Sequence, residues 1–400
     1  MGVGRNRALA AVLVADVVST TGTEMTAVAL PWFVLVSTGS PARMAGVMSM
    51  EFVGSTLLGL PSGRVARTLG PRRTMLLADL ARAPLVGLVP LLYAVGGLSY
   101  GVLLAVGFAV GACFPAYSSS QRLVVASIVG DDEAALTRVG GVLGAVNETA
   151  SFVGPALGGA LVAVIGASDV LAVDAVSYLV SFAILVTAVP QPSSADAGAG
   201  EPSDLLAGLR WLWHETALRR QVIAVMVAEM GWTALMAALP VAARHRYGGG
   251  AALAGWFVGA YGGGSIVGGL ISARAKRMGM RTASLALVAV AALSWAMVPR
   301  VPAWAVVVCV AATGVCNQIY FPRLFATLTL APPVAMRAEV MTAAQTAMSV
   351  TGPVGFVVAG LLIDGRPVTG AFVVVAVAAS VAAAISAWST RRSDPVANTG

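Results

Sequence analysis

Five acidic side chains stand inside otherwise apolar stretches: Asp16, Glu24, Glu51, Glu148 and Glu229. A charge near the centre of a bilayer costs roughly 2.5–3.5 kcal/mol even on lenient insertion scales, so such acids mark functional sites by default. A carboxyl there can hold a proton and a cationic cargo in turn, which is the chemistry of proton-coupled antiport. Their other possible role is fixed hydrogen bonding to backbone or hydroxyl groups. Asp16, Thr20 and Glu24 recur at intervals of four and share one helical face. Tyr117, Ser118, Ser119, Ser120 and Gln121, and likewise Asn317, Gln318 and Tyr320, are further polar groups that could line a pathway. No lysine or arginine is expected as deep as the acids, so a cationic or neutral cargo is favoured over an anion.

Other chemistries lack their residues. The single lysine, Lys276, leaves no phosphate-binding loop of the G-x-x-x-x-G-K-[ST] form. His214 and His245 lie far apart, and Cys113, Cys309 and Cys316 are scattered through apolar runs. Neither a metal site nor a disulfide framework is expected. No catalytic constellation is evident, so the chain is not read as an enzyme and no cofactor is implied.

The elements that must position the acids follow from composition. Of 400 residues 58% are apolar and only 11% charged, too few charges to cover a water-facing surface. A soluble domain and a disordered chain are thereby excluded. Apolar runs of spanning length recur at 9–36, 43–63, 74–95, 98–120, 139–165, 168–189, 220–243, 250–273, 282–299, 303–323, 339–363 and 368–389. That predicts an all-α membrane protein of twelve spans. The first run is too long for a cleaved leader. With the N-terminus inside, 20 of the 25 basic residues, Arg82 among them, fall in cytoplasmic segments and 5 outside. The bias places both termini in the cytoplasm. The net charge of +7 is therefore read as orientation, not nucleic-acid binding.

Residues 1–189 form one six-span half and 220–390 the other. Between them, 190–219 is a cytoplasmic linker. It carries a Ser203-Asp204 cap and a short amphipathic helix built on Leu205, Leu206, Leu209, Leu212 and Trp213. Residues 391–400 are a cytoplasmic tail. The halves echo each other: Gly22 with Ala29-Leu30-Pro31 matches Gly231 with Ala238-Leu239-Pro240, and Gly154-Pro155 matches Gly352-Pro353. Parallel six-span repeats belong to one class of transporters, with the substrate near the midplane. The Gly154-Pro155 pair is expected to break the helix ladder of the fifth span.

Several motifs carry a family likeness. They are Ala29-Leu30-Pro31-Trp32 followed by Thr38-Gly39-Ser40-Pro41; Gly63-Arg-Val-Ala-Arg67-Thr-Leu-Gly70-Pro-Arg72-Arg73 running into Asp79; Gly154-Pro155-Ala-Leu-Gly158-Gly159; and Asp174-Ala-Val-Ser177-Tyr178. With twelve spans and a mid-chain linker, the sequence resembles the major facilitator superfamily, in particular its drug exporters of the macrolide-efflux and enterobactin-exporter kind. The resemblance implies alternating access between two halves, with spans 1, 4, 7 and 10 lining the cavity. It thereby singles out Glu24 and Glu229, then Asp16. It also implies a cytoplasmic latch around Gly63, Gly70, Arg72 and Arg73. Arg67 stands where the family usually has aspartate, and Asp79 is the nearest acid able to act as counter-ion.

The expected function is secondary transport in the bacterial inner membrane: proton-driven export of a small amphipathic compound by a monomer, with the lipid bilayer as its surroundings. An importer or siderophore transporter of the same fold, and a membrane sensor or assembly protein that no longer transports, are the alternatives.

Overall fold

The structure, a computed structural model, describes residues 7–130, 133–189, 205–274, 279–333 and 336–391. The Ser203-Asp204 cap and Lys276 lie outside the described residues, as do the side chains at Gly63 and Arg67.

The chain is helical throughout its described length, as apolar runs in a medium without water require: only intrasegment hydrogen bonds satisfy the backbone there. In order come α1 (Arg7–Thr38), α2 (Pro41–Leu69), α3 (Pro71–Ala94), α4 (Tyr100–Val129), α5 (Glu133–Ile165) and α6 (Ala167–Ala188). Then follow α7 (Leu205–His214), α8 (Thr216–Val241), α9 (Ala251–Arg274), α10 (Met280–Met297) and α11 (Ala303–Leu330). The last are α12 (Arg337–Val350), α13 (Gly352–Ile363) and α14 (Thr369–Arg391). Among the described residues eleven helical stretches are long and apolar enough to cross a membrane, the pair α12–α13 counting as one. The twelfth expected span, α2, is absent from that set. Its 29 residues are ample at about 1.5 Å each, but Ser49, Glu51, Ser55, Ser62, Arg64 and Arg67 dilute its apolar character.

Turns between helices are local and chemically explicit. The Ser40 hydroxyl accepts from the Arg43 amide ahead of Pro41, which starts α2. Gly70, at φ 85°, joins α2 to α3 in a conformation that side-chain-bearing residues avoid, and Pro71 then fixes the first turn.

The chain divides into two compact units, residues 1–199 with 248–259, and residues 200–247 with 260–400. In the first, α1 packs on α6 and α5, α2 on α4, and α3 on α6 and α4. In the second, α8 packs on α14 and α13, α10 on α14 and α11, and α7 on α12. Glycines set the closest approaches. Gly111 lies against the backbone of Glu51, and Gly54 against that of Phe108, so α2 and α4 touch through main chain. Gly264 against Ala311 and Gly314 against Tyr261 repeat the device between α9 and α11. Side chains at these points would collide with backbone, the small-residue packing typical of helices in lipid.

The two Gly-Pro pairs behave differently, although each proline lacks the N–H that a ladder bond needs. α5 runs unbroken through Pro155. The matching span stops at Val350 and restarts at Gly352, with Thr351 between. There the Thr351 hydroxyl donates to Met226 O at 2.6 Å, and the Thr233 hydroxyl to Gly352 O at 2.8 Å. Partners from α8 hold the opened ladder.

Candidate functional site

In the first unit the polar side chains converge on α3. Asp79 and Arg82 sit three residues apart on one face. Arg82 Nη2 donates to Asp79 Oδ1 at 2.5 Å, and Ser181 Oγ of α6 donates to Asp79 Oδ2 at 2.7 Å. The guanidinium lies between two rings, 4.5 Å from the Tyr117 centroid and 4.4 Å from that of Tyr178. Arg82 is 3% exposed and Asp79 fully buried. Two sequence expectations are corrected here. A basic residue does lie as deep in its helix as the acids, because Asp79 and two aromatic faces compensate its charge. Asp79 serves Arg82, and among the described residues no arginine of the loop before it bonds to it. Of those, Arg72 donates to the carbonyls of Leu185 and Val186 at the C-terminal end of α6, where a helix dipole favours a cation. Arg73 is exposed.

Asp16 of α1 borders this pair. Thr20 donates to its Oδ1 at 3.4 Å, as their spacing predicted. Its Oδ2 is buried and has no partner, and the buried Gln121 amide faces it from α4 without closing a hydrogen bond. The Tyr117 hydroxyl and Ser120 Oγ are equally unpartnered. Ser118 donates to Pro115 O within its own helix.

Further along α1, Asp174 of α6 is fully buried and accepts from Thr26 at 2.6 Å and Ser177 at 3.0 Å. Gly22 leaves the space these side chains occupy. Sequence reading placed Asp174 in a motif but missed it as an intramembrane acid. The rule that singled out the other five applied to it equally. Glu24 accepts from Ser151 of α5 at 2.8 Å, with Glu148 nearby, and Gly154 makes room for the Glu24 side chain. Gly158 closes the same interface against Met25, and Gly159 meets Gly255 at the start of α9. Glu51 lines a small apolar cleft with Thr26, Leu30 and Leu171.

The second unit is built otherwise. One cavity there holds about 720 Å³ of empty space, its open mouth included. One carboxylate, Glu229 of α8, enters it. The walls include Trp232 of α8, Tyr261 of α9, and Asn317, Tyr320 and Phe321 of α11. Trp232 and Tyr261 lie with ring centroids 4.1 Å apart, and Asn317 Nδ2 donates to the Tyr261 hydroxyl at 3.2 Å. Among the described residues no cation or hydrogen-bond donor meets the Glu229 side chain. Behind the cavity, Gln221 accepts from Tyr320 and Ser386, each at 2.8 Å, and donates to Ser389 at 2.9 Å.

The expected site residues therefore separate into groups. Asp16, Thr20, Tyr117 and Gln121 gather about Arg82; Glu24 and Glu148 gather at α5; Glu229 and Asn317 share the cavity. Gln318 packs toward Gly268 and Ser118 bonds within α4, so neither lines the cavity. No group of three His, Cys, Asp or Glu that could hold a metal ion occurs among the described residues.

The sequence and the fold have known counterparts. The sequence pattern of the family described as transmembrane secretion effector matches residues 4–395. The multidrug efflux pump Tap of Mycobacterium tuberculosis is 26% identical over 380 residues, which cover 91% of this chain and 89% of the pump. Tap of Mycolicibacterium fortuitum is 30% identical over 231 residues, 54% of this chain and 55% of that pump. Among solved structures, the nucleoside transporter NupG superposes with a TM-score of 0.80 at 11% identity, over 95% of this chain and 98% of that one. A bacterial homologue of the human lysosomal transporter Spinster gives 0.77 at 12% identity, over 98% of both chains.

Proposed function

Because the chain belongs to the transmembrane secretion effector family of the major facilitator superfamily, we propose that it exports small amphipathic compounds, drug-like or secondary-metabolite, by proton-driven alternating access. It is a multi-pass membrane transporter and not an enzyme. In our reading it works as a monomer with both termini in the cytoplasm.

One observation carries the cargo reading: Glu229 stands alone in an aromatic-walled cavity. A lipophilic cation would supply the missing counter-charge, and Trp232, Tyr261, Tyr320 and Phe321 would supply flat apolar and cation–π contact. Arg82 adds no free positive charge for an anionic cargo, since Asp79 already pairs with it. The Tap relatives, multidrug efflux pumps by name, agree with outward transport of varied compounds.

The test is accumulation of cationic and neutral amphipathic dyes in a host stripped of its own pumps. Lower accumulation that a protonophore abolishes and Glu229→Gln removes supports the reading. Accumulation unchanged by the protein, or raised by it, overturns export.

A further inference from the structure

The polar atoms left without partners in the first unit are not scattered. Asp16 Oδ2, Gln121 Nε2 and Tyr117 Oη are buried on α1 and α4 about Arg82 with no hydrogen bond closed at normal geometry, Gln121 facing Asp16. A buried polar group left unsatisfied costs about 1–3 kcal/mol, so three in one place call for an exchangeable occupant. The charges say which kind. Two carboxylates, Asp16 and Asp79, face one guanidinium. Fully ionised, the cluster carries one uncompensated negative charge, and one proton neutralises it.

We propose that Asp16, Asp79 and Arg82 form the proton-binding site of this transporter, in the first unit, while the cargo cation binds at Glu229 in the second. This rests on the exporter reading above and deepens it. The proton adds to whichever carboxylate is not paired with Arg82. With Arg82 on Asp79, as in the structure, Asp16 is the acceptor, and its free Oδ2 is the atom that takes the proton. When Arg82 turns to Asp16, Asp79 takes the proton and keeps its bond from Ser181. In the position seen, the Tyr117 and Tyr178 faces hold the guanidinium between them.

One further acid bears on that balance: Asp174 lies within electrostatic reach of Arg82 and Asp79. α4 contributes Cys113 and Tyr117, and α6 contributes Tyr178. Asp174, also on α6, is held by Thr26 and Ser177. α2 and α5, which also pack on α1, place Glu51 and Glu148 beside Glu24. Arg82 is the only cation found in this neighbourhood among the described residues.

Two readouts on the full-length purified protein test the site. In pH-difference infrared spectra, a protonated-carboxyl band present in the wild type is lost in Asp16→Asn and restored in Asp16→Glu. A band that Asp16→Asn leaves unchanged overturns the proposal. In proteoliposomes loaded with ethidium, a singly charged aromatic dye, Asp16→Asn lowers proton-gradient-driven accumulation about tenfold, whereas dye–dye exchange without a gradient changes less than about twofold. Loss of both together, or of neither, overturns the assignment. Glu229→Gln loses exchange as well. A wild type that moves no ethidium counts against the exporter reading, and the infrared result then still decides the proton site.

Discussion

Beside Gly22 on α1 stand Asp174 and Ser177 of α6; beside Gly231 on α8 stand Val375 and Ala378 of α14. Nine and twelve residues after Gly70 come Asp79 and Arg82; the same steps after Gly279 give Val288 and Ala291. The backbone device is repeated and the chemistry is not. The first unit fills its helix contacts with acids, hydroxyls and one arginine, whereas the second fills the matching positions with methyl groups. It keeps a single acid for an open cavity. A duplicated scaffold can thus divide two tasks, as proposed: proton binding in one half and binding of an amphipathic cation in the other. What constrains each half is the glycine spacing, which both retain.

The comparison can be broken at several points. The largest effect is expected at Arg82. Arg82→Leu strands the Asp79 carboxylate in the interior and should cost about 3–5 kcal/mol, read as a lowered thermal midpoint of the purified protein. Asp79→Leu with Arg82→Leu imitates the second unit and should recover most of that loss. A double variant as unstable as the single one would show that the first unit cannot tolerate its partner's chemistry. Next come the glycine contacts. Gly111→Val and Gly314→Val should each cost about 1–3 kcal/mol by forcing backbone apart, and by similar amounts if the two packings are equivalent. At the cavity, Glu229→Gln should weaken binding of ethidium about tenfold, worth about 1.4 kcal/mol, and leave a neutral dye of the same size unaffected. Equal losses for both dyes would remove charge from the cavity's role. The smallest effect belongs to the broken span: Thr233→Val removes the donor to Gly352 O and should cost about 1 kcal/mol in thermal stability.

The helices were legible because each apolar run is bounded by glycine, proline or charge, and because lipid leaves the backbone no alternative. α2 alone blurs, since its serines and arginines dilute the same signal. Within the site, Asp16 with Thr20 was readable as a local spacing on one helix. The Arg82 cluster was not, because charge counting along the chain assigns every arginine near a span end to a water-facing segment. Only the meeting of α1, α3, α4 and α6 puts two rings and a carboxylate around that one. The spacing of Asp79 and Arg82 on one face was the available hint. The two Gly-Pro pairs could not be told apart by sequence, since what opens the later span is a pair of threonine hydroxyls, one of them on a distant helix. Glu229 was found, but its aromatic walls come from three helices and have no linear signature.

α7 packs on α12, with Gly208 against the main chain of Glu339 and Leu212 joined to the apolar core that contains Leu218. The end of the connector is therefore already part of the second half. Seen as a seam for dividing the gene, the useful boundary lies between Ala188 and Leu205, ahead of that helix. Two fragments separated there each keep the helices of their own half, save the start of α9, which packs with the first unit but stays on the second fragment, and co-expression should let them reassemble. Fragments separated after His214 would strip the second half of part of its core and leave Leu212 without its neighbours.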